Sequence, residues 1–358
     1  MEHDVSGDGR EVWRLRRPGA LDRLERQREA LPDPGPGEAR VAVKAIGLNF
    51  ADVFACLGLY SAAPAGGFTP GLEVAGVVES VGPARSPSGA DPALRPGERV
   101  YGLTRFGGYA TALNLDLRYL RPIPSGWGYA EAAAFPVQAL TAWYGLIELG
   151  AAKAGDVVLV QSAAGGVGLN ALAILAGCSA RVIAAVGRAA KRDHLVEHAG
   201  LAPHQVIVRD RRGFGRQLDR ALTAARADGF DLVFDAVAGP FFRPAYRRLR
   251  PAGRYVVYGA ADFMPRRPRL HYLPLVLRYL RRPRLDPLRM IQENRSVMAF
   301  NLIWLWGEAD RLPRAFGEIE GLIRRPPLVG RRFAFAEAPA ALRHLQSGES
   351  IGKVVLEV

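Results

Sequence analysis

The stretch from Asp156 to Leu169, DVVLVQSAAGGVGL, constrains the fold of this chain more than any other part of it. Val157 to Val160 is a run of branched apolar residues, the pattern of a strand buried on both faces in a parallel sheet. It leads into the small-residue turn Ala163-Ala164-Gly165-Gly166-Val167-Gly168 and then an apolar helix, Leu169 to Ala176. Strand, glycine turn and helix in this order predict a dinucleotide site. Gly165 lets the backbone approach a pyrophosphate, Gly168 lets the helix pack close to the strand, and the helix N-terminus offers N–H groups to the anion. Ala163 stands where the G-x-G-x-x-G pattern has its first glycine, so a strand-to-helix turn without a ligand is the competing reading.

Upstream, the chain reads as short strands. Val12 to Leu15 is one candidate; Val41, Val43 and Ala45 alternate with outward positions after the turn cluster Asp33-Pro-Gly-Pro-Gly37. Gly47 to Asp52 leads into a helix-like stretch ending at Gly58-Leu-Tyr60, and Gly71 to Gly82 reads as two strand pieces punctuated by glycine. Closely spaced strands with glycine turns suggest a small barrel. From about Tyr129 the rhythm changes. Helices are predicted at Ala130 to Leu149, Gly166 to Ala176, Ala189 to Ala199 and Phe214 to Arg226. They alternate with strands at Val157 to Gln161, Arg181 to Val186, Val206 to Val208, Leu232 to Ala236 and Tyr255 to Tyr258. That alternation implies βαβ units and a doubly wound parallel sheet. The expected organisation is α/β: a barrel-like domain at 1–135, a cofactor domain at 136–305, and a return to the first domain at 306–358.

Composition bounds the class. With 49% hydrophobic and 23% charged residues in 358, the chain is an ordinary globular protein. No apolar run approaches the ~20 residues needed to span a bilayer, and the polar start Met1-Glu-His-Asp predicts no secretory signal. Cys56 and Cys178 lie too far apart to suggest a disulfide framework, so a cytoplasmic protein is expected. The net charge of +13 is concentrated: residues 241–290 hold 13 arginines against Asp262 and Asp286. An insert at about 262–294 carries Arg266-Arg-Pro-Arg269, an apolar run to Leu280, and Arg281-Arg-Pro-Arg284. Apolar residues flanked by arginines at 266–284 suit a surface that meets anionic membrane. A lobe that packs on a partner subunit or covers a cleft explains the same composition. No nucleic-acid motif accompanies the charge, so no nucleic-acid partner is expected.

NAD sites usually place an acid about 20 residues past the glycine turn. Here Arg188, Lys191 and Arg192 follow the second strand, and no acid comes before Asp193. Those cations suit a 2′-phosphate, which favours NADPH; a solvated basic start to a helix is the alternative.

Ala45-Ile-Gly-Leu-Asn-Phe-Ala-Asp-Val53, Gly58-Leu-Tyr60, Pro70-Gly-Leu-Glu-Val-Ala-Gly-Val77, Pro96-Gly-Glu-Arg-Val100, the glycine turn and Ile351-Gly-Lys-Val-Val355 together resemble the medium-chain dehydrogenase/reductase superfamily. Within it the chain is most similar to the zinc-free quinone oxidoreductases. Tyr258-Gly-Ala-Ala, Asn294-Arg-Ser-Val, Phe300-Asn-Leu and the basic insert resemble the branch of the vesicle amine transport protein. The resemblance implies a GroES-like barrel plus a Rossmann domain, a homodimer through the central sheet, and hydride transfer to a quinone or α,β-unsaturated carbonyl. Zinc-dependent relatives have Cys where Asn49 stands and His where Leu72 stands; no catalytic metal is therefore expected. Asn49, Asp52 and Tyr60 are implied to face the nicotinamide. Asn49 is a candidate to bond the cofactor ribose or the acceptor oxygen, or only to cap the following helix. Tyr60 is a candidate to orient or protonate the reduced oxygen, or only to form a wall. Thr141 is implied near the nicotinamide, Gly259 near the cofactor after the fifth strand, Asn301 as a cofactor contact at the last sheet strand and Lys353 at the pyrophosphate, while Glu73 is expected to be a buried structural carboxylate. On the same fold, a membrane-surface lipid-binding protein with little turnover is the alternative function.

Overall fold

The computed structural model describes residues 9–85, 94–265 and 272–358. The chain lays down β1 (Gly9–Leu15), β2 (Leu24–Ala30), β3 (Glu38–Gly47), β4 (Glu73–Val81), β5 (Arg99–Leu103), β6 (Ala112–Asp116) and β7 (Leu120–Pro122). It continues with β8 (Val157–Gln161), β9 (Arg181–Val186), β10 (Val206–Val208), β11 (Phe230–Asp235), β12 (Leu249–Val257) and β13 (Ser296–Ala299), then β14 (Val329–Ala334) and β15 (Lys353–Glu357).

The central six strands form one sheet in the order β10-β9-β8-β11-β12-β13, every described pairing parallel. Counted from β8 this is the doubly wound order 3-2-1-4-5-6, with its switch point between β8 and β11. All five residues of β8 are buried, as its branched run requires. The other sheet has the order β14-β15-β3-β4-β5-β7, with β6 also on β3, and is antiparallel except for β14 beside β15. Each layer has a core of its own: Tyr255 and Phe230 under the parallel sheet, Leu15 and Ile46 inside the barrel. The chain is thus a GroES-like barrel joined to a Rossmann domain, and β14 and β15 bring it back to the barrel.

Four local expectations need correction. The single helix at 130–149 is three pieces: Tyr129–Ala133, Pro136–Trp143, and a π-helical segment Tyr144–Leu149. Pro136 has no N–H to continue the first piece, but its fixed φ suits the first turn of the second. The stretch 71–82 is one strand, not two. Gly76 lies inside β4, where a Cβ would sit 2.0 Å from the Ala42 carbonyl oxygen, so this glycine permits close strand contact and does not end the strand. β2 was not anticipated, and it pairs along its whole length with β1. The strand expected at Tyr255 to Tyr258 begins earlier and spans Leu249–Val257.

Candidate functional site

A cavity of about 1190 Å³ opens at the carboxyl ends of β8 and β11 and reaches the barrel, so residues from both sheets line it. The helix after β8 starts at Gly166 with Gly165 as its N-cap, and Ser162, Ala164, Gly165 and Val167 face the cavity. Ser162 holds φ at 58°, an uncommon conformation for a residue with a side chain, at the point where the strand bends toward the cavity. Ala163, Gly166 and Gly168 do not line it. A Cβ on Gly168 would lie 2.5 Å from the carbonyl oxygens of Ser162 and Ala163, and one on Gly166 would overlap the Gln138 side chain. These residues shape the turn, and Ala163 is fully buried within it.

Beyond the turn is a group of cations. Arg188 and Lys191 line the cavity, joined by Arg209 and Arg211 from the segment after β10. Arg188 pairs with Glu349 at 2.9 Å. Arg209 donates to the Ala185 carbonyl at 3.1 Å and lies 5.5 Å from the Phe241 ring centre. Burial, with Arg209 and Arg188 nearby, pushes the Lys191 ammonium down to about 8. Burial likewise pushes Arg209 down to about 10. Desolvated like charges held together in this way accommodate a polyanion. Arg192 is not part of the group: it is exposed and holds Asp193 at 2.8 Å.

At the barrel end, Asn49 is the N-cap of the helix Phe50–Cys56. Its side chain is not engaged in capping: Nδ2 donates to Glu73 Oε1 at 2.8 Å, and Oδ1 accepts from Lys353 Nζ at 2.9 Å. Asp52 takes the cap backbone N–H at 2.8 Å, the Gly71 N–H at 3.2 Å and the Tyr109 hydroxyl at 3.3 Å. It has no exposed surface and does not line the cavity, so it holds the loop and does not reach the space it was expected to face. Burial pushes its carboxyl up to about 7. Lys353 is also placed differently from expectation. It is fully buried, and its ammonium is bonded to Asn49 and Glu73, not to the glycine turn. Glu73 is the buried structural carboxylate that was expected.

Tyr60, Thr141, Gly259 and Asn301 all line the cavity. The Tyr60 hydroxyl donates to Asn301 Oδ1 at 2.9 Å, a contact between segments 241 residues apart. Burial raises the phenol's pKa. Thr141 donates to the Val137 carbonyl of its own helix at 2.6 Å. Tyr258, stacked on Phe234 at 4.1 Å, adds an aromatic wall. Sequence reasoning missed Arg209, Arg211, Ser162, Gln138 and Tyr258. Arg209 had a usable signal, because it directly follows the third strand of the doubly wound order.

The described part of the insert is two helices, Tyr272–Leu280 and Pro287–Glu293; Arg266, Arg267 and Arg269 lie outside the described residues. Leu273, Leu288 and Ile291 are 72%, 71% and 74% exposed, and Arg281, Arg282 and Arg284 lie between the two helices in sequence. Arg278, from the same helix, lines the cavity and donates to the Asp262 carbonyl at 2.7 Å. Among the described residues no helix is long and apolar enough to cross a membrane, and no cluster of His, Cys, Asp or Glu is arranged to hold a metal.

Residues 35–144 match the alcohol dehydrogenase GroES-like domain, and residues 205–356 match the zinc-binding dehydrogenase family. In the first of these matches, Asn49 and Leu72 offer neither thiolate nor imidazole. It is 31% identical over 94% of its length to the synaptic vesicle membrane protein VAT-1 homolog of Rattus norvegicus, covering 81% of that protein. It is 33% identical over 92% of its length to the spectinabilin polyketide synthase system protein NorB of Streptomyces orinoci, of which it spans only 13%. The quinone oxidoreductase of Thermus thermophilus, whose structures include a complex with NADPH, superposes with a TM-score of 0.72 at 31% identity, covering 97% of this chain and all of that one. The chain belongs to the medium-chain dehydrogenase/reductase superfamily, among its quinone-oxidoreductase-type members near the VAT-1 homologues.

Proposed function

We propose that the protein is an NADPH-dependent reductase that transfers hydride to a quinone or an α,β-unsaturated carbonyl. One observation carries the reading: a single cavity joins the glycine turn, a group of desolvated cations, and the Asn49–Tyr60 end of the barrel. NADPH fits the residues present. The N–H groups at the start of the helix Gly166–Gly177 suit the pyrophosphate. Arg188, Lys191, Arg209 and Arg211 suit a 2′-phosphate, and Thr141, Tyr258 and Gly259 flank the space for the nicotinamide. The bound cofactor supplies the hydride; the protein supplies position and polarity.

Tyr60 Oη, which donates to Asn301, exchanges that partner for the acceptor oxygen in this reading. Because burial raises its pKa, the phenol keeps its proton at neutral pH and acts by orienting the acceptor. Steady-state oxidation of NADPH over a panel of quinones and enones tests the reading, with phenanthrenequinone as first acceptor. Turnover with NADPH and about tenfold or more slower turnover with NADH is expected from the charged contacts to the 2′-phosphate. No binding of either nicotinamide dinucleotide by calorimetry refutes it.

The exposed apolar side chains Leu273, Leu288 and Ile291 favour a second reading, docking on anionic membrane with lipid binding in place of turnover. The outer edge of β13 pairs with no described strand, and we infer that a second copy adds its own β13 there to form a dimer; sedimentation velocity tests this.

A further inference from the structure

The barrel end of the cavity holds a buried charge cluster whose hydrogen bonds can be counted atom by atom. Lys353 Nζ donates to Asn49 Oδ1 and to Glu73 Oε1. Asn49 Nδ2 donates to Glu73 Oε1 at 2.8 Å and to the Gly47 carbonyl at 3.3 Å. Glu73 Oε2 accepts the Val137 N–H at 2.8 Å, tying the cluster to the start of the helix that carries Thr141. An ammonium needs an acceptor and a carboxylate needs a donor, so the Asn49 amide has only one orientation between Lys353 and Glu73. Both Nδ2 hydrogens are used, whereas Oδ1 has two lone pairs and gives one to Lys353. Asn49, 8% exposed, is the member of the Asn49–Glu73–Lys353 cluster that lines the cavity.

We propose that Lys353 is a positioning residue which, with Glu73, fixes Asn49 as a hydrogen-bond acceptor facing the nicotinamide–ribose end of the dinucleotide. This rests on the NADPH reading and resolves which partner Asn49 takes. A quinone or enone oxygen has no hydrogen to give and is refused by Oδ1; a ribose hydroxyl is accepted. Lys353 thus acts through Asn49, although its charge never reaches the cavity. The same strand entry touches the pyrophosphate turn, because the Gly352 N–H donates to the Ala164 carbonyl at 2.9 Å. The position of Asn49 is therefore referenced to the turn that receives the other half of the ligand.

The test compares two probes by calorimetry: NADPH, and 2′,5′-ADP, which has the 2′-phosphate end but no nicotinamide ribose. Asn49→Ala and Lys353→Met should each weaken NADPH about tenfold, the value of one lost hydrogen bond in a dry site, and leave 2′,5′-ADP within about twofold. The double variant should bind NADPH no more weakly than Lys353→Met alone, and Lys353→Arg should recover most of the loss. Melting temperature is measured alongside. If Lys353→Met does not fold, Lys353→Met with Glu73→Gln removes both charges of the pair and is held to the same comparison. Equal losses for both probes, or additive losses in the double variant, overturn the proposal. A wild-type protein that binds neither probe instead overturns the NADPH reading itself.

Discussion

Lys191 permits the sharpest test of the cofactor reading, because its environment opposes its charge until an anion arrives. In the free protein its ammonium is held at about 8 against an ordinary 10.5, chiefly by burial and then by Arg209 and Arg188. At about 1.4 kcal/mol for each tenfold change in proton affinity, keeping Lys191 charged there costs about 3 kcal/mol. A 2′-phosphate removes that cost, and it is a dianion above a pKa of about 6. The NADPH-over-NADH preference should therefore rise as pH passes 6, stay level to about 8, and decline above 8 as free Lys191 loses its proton. Lys191→Met removes a charged contact worth about 1.5–3 kcal/mol, so NADPH binding should weaken about 10- to 100-fold and NADH binding less than about twofold. The alkaline decline should disappear in that variant.

The effect on stability has the opposite sign. Between about 8 and 10.5 the unfolded chain holds the Lys191 proton more tightly than the folded one, so this group's contribution to stability rises with pH across that window. Below pH 8 it is a net cost. Lys191→Met should accordingly raise the ligand-free melting temperature at pH 7 while weakening NADPH. Fluorescence titration of both nucleotides from pH 6 to 9.5 and a thermal melt measure all of this. A preference that stays flat to pH 9.5, or an alkaline limb that survives in Lys191→Met, refutes the reasoning.

Other outcomes follow from single contacts. Tyr60→Phe should lower kcat about tenfold, or about 1.4 kcal/mol, with NADPH affinity unchanged; an unaltered kcat makes the phenol a wall. Gly168→Ala should destabilise the fold by about 1–3 kcal/mol, because the new methyl meets two carbonyl oxygens at 2.5 Å; a melting temperature equal to wild type would show that the turn yields. Leu277→Glu with Ile291→Glu should abolish co-sedimentation with phosphatidylserine-containing vesicles and leave NADPH binding intact. Equal sedimentation of wild type and variant removes the membrane reading.

The sequence was most legible where one local signal determines the structure. The branched run of β8 and the glycines after it predict a strand, a turn and a helix start within fourteen residues, and all three are present. Direction was harder to read than position. Lys353 and Asp52 were expected at the cofactor, but only the folded barrel decides that both point inward, to Asn49 and to the loop backbone. Arg209 was hidden among many arginines; it reaches the site because β10 lies beside β9, so the segments after both strands meet at one edge of the cavity. β2 was illegible for another reason. Its sequence, LERQREA, is rich in helix formers, and it becomes a strand through pairing with β1, supported by the Arg10–Glu29 ion pair at 2.7 Å.

The distribution of charge in the cavity decides what acceptor it can serve. Arg188, Lys191, Arg209 and Arg211 gather beyond the glycine turn, Arg188 already paired with Glu349 and Arg211 with Asp262. At the other end the buried Lys353 faces Glu73 and Asn49, so it gives the acceptor oxygen neither a charge nor a proton. Tyr60 offers that oxygen a single neutral hydrogen bond, worth about 1 kcal/mol. A simple ketone needs far more help than this, because hydride addition leaves a full alkoxide on its oxygen. A quinone or enone spreads the arriving charge over its own conjugated system and needs only to be oriented. The side chains therefore favour acceptors that bring their own electron sink. A saturated ketone reduced as fast as its enone counterpart would show that an electrophile other than Tyr60 serves the acceptor.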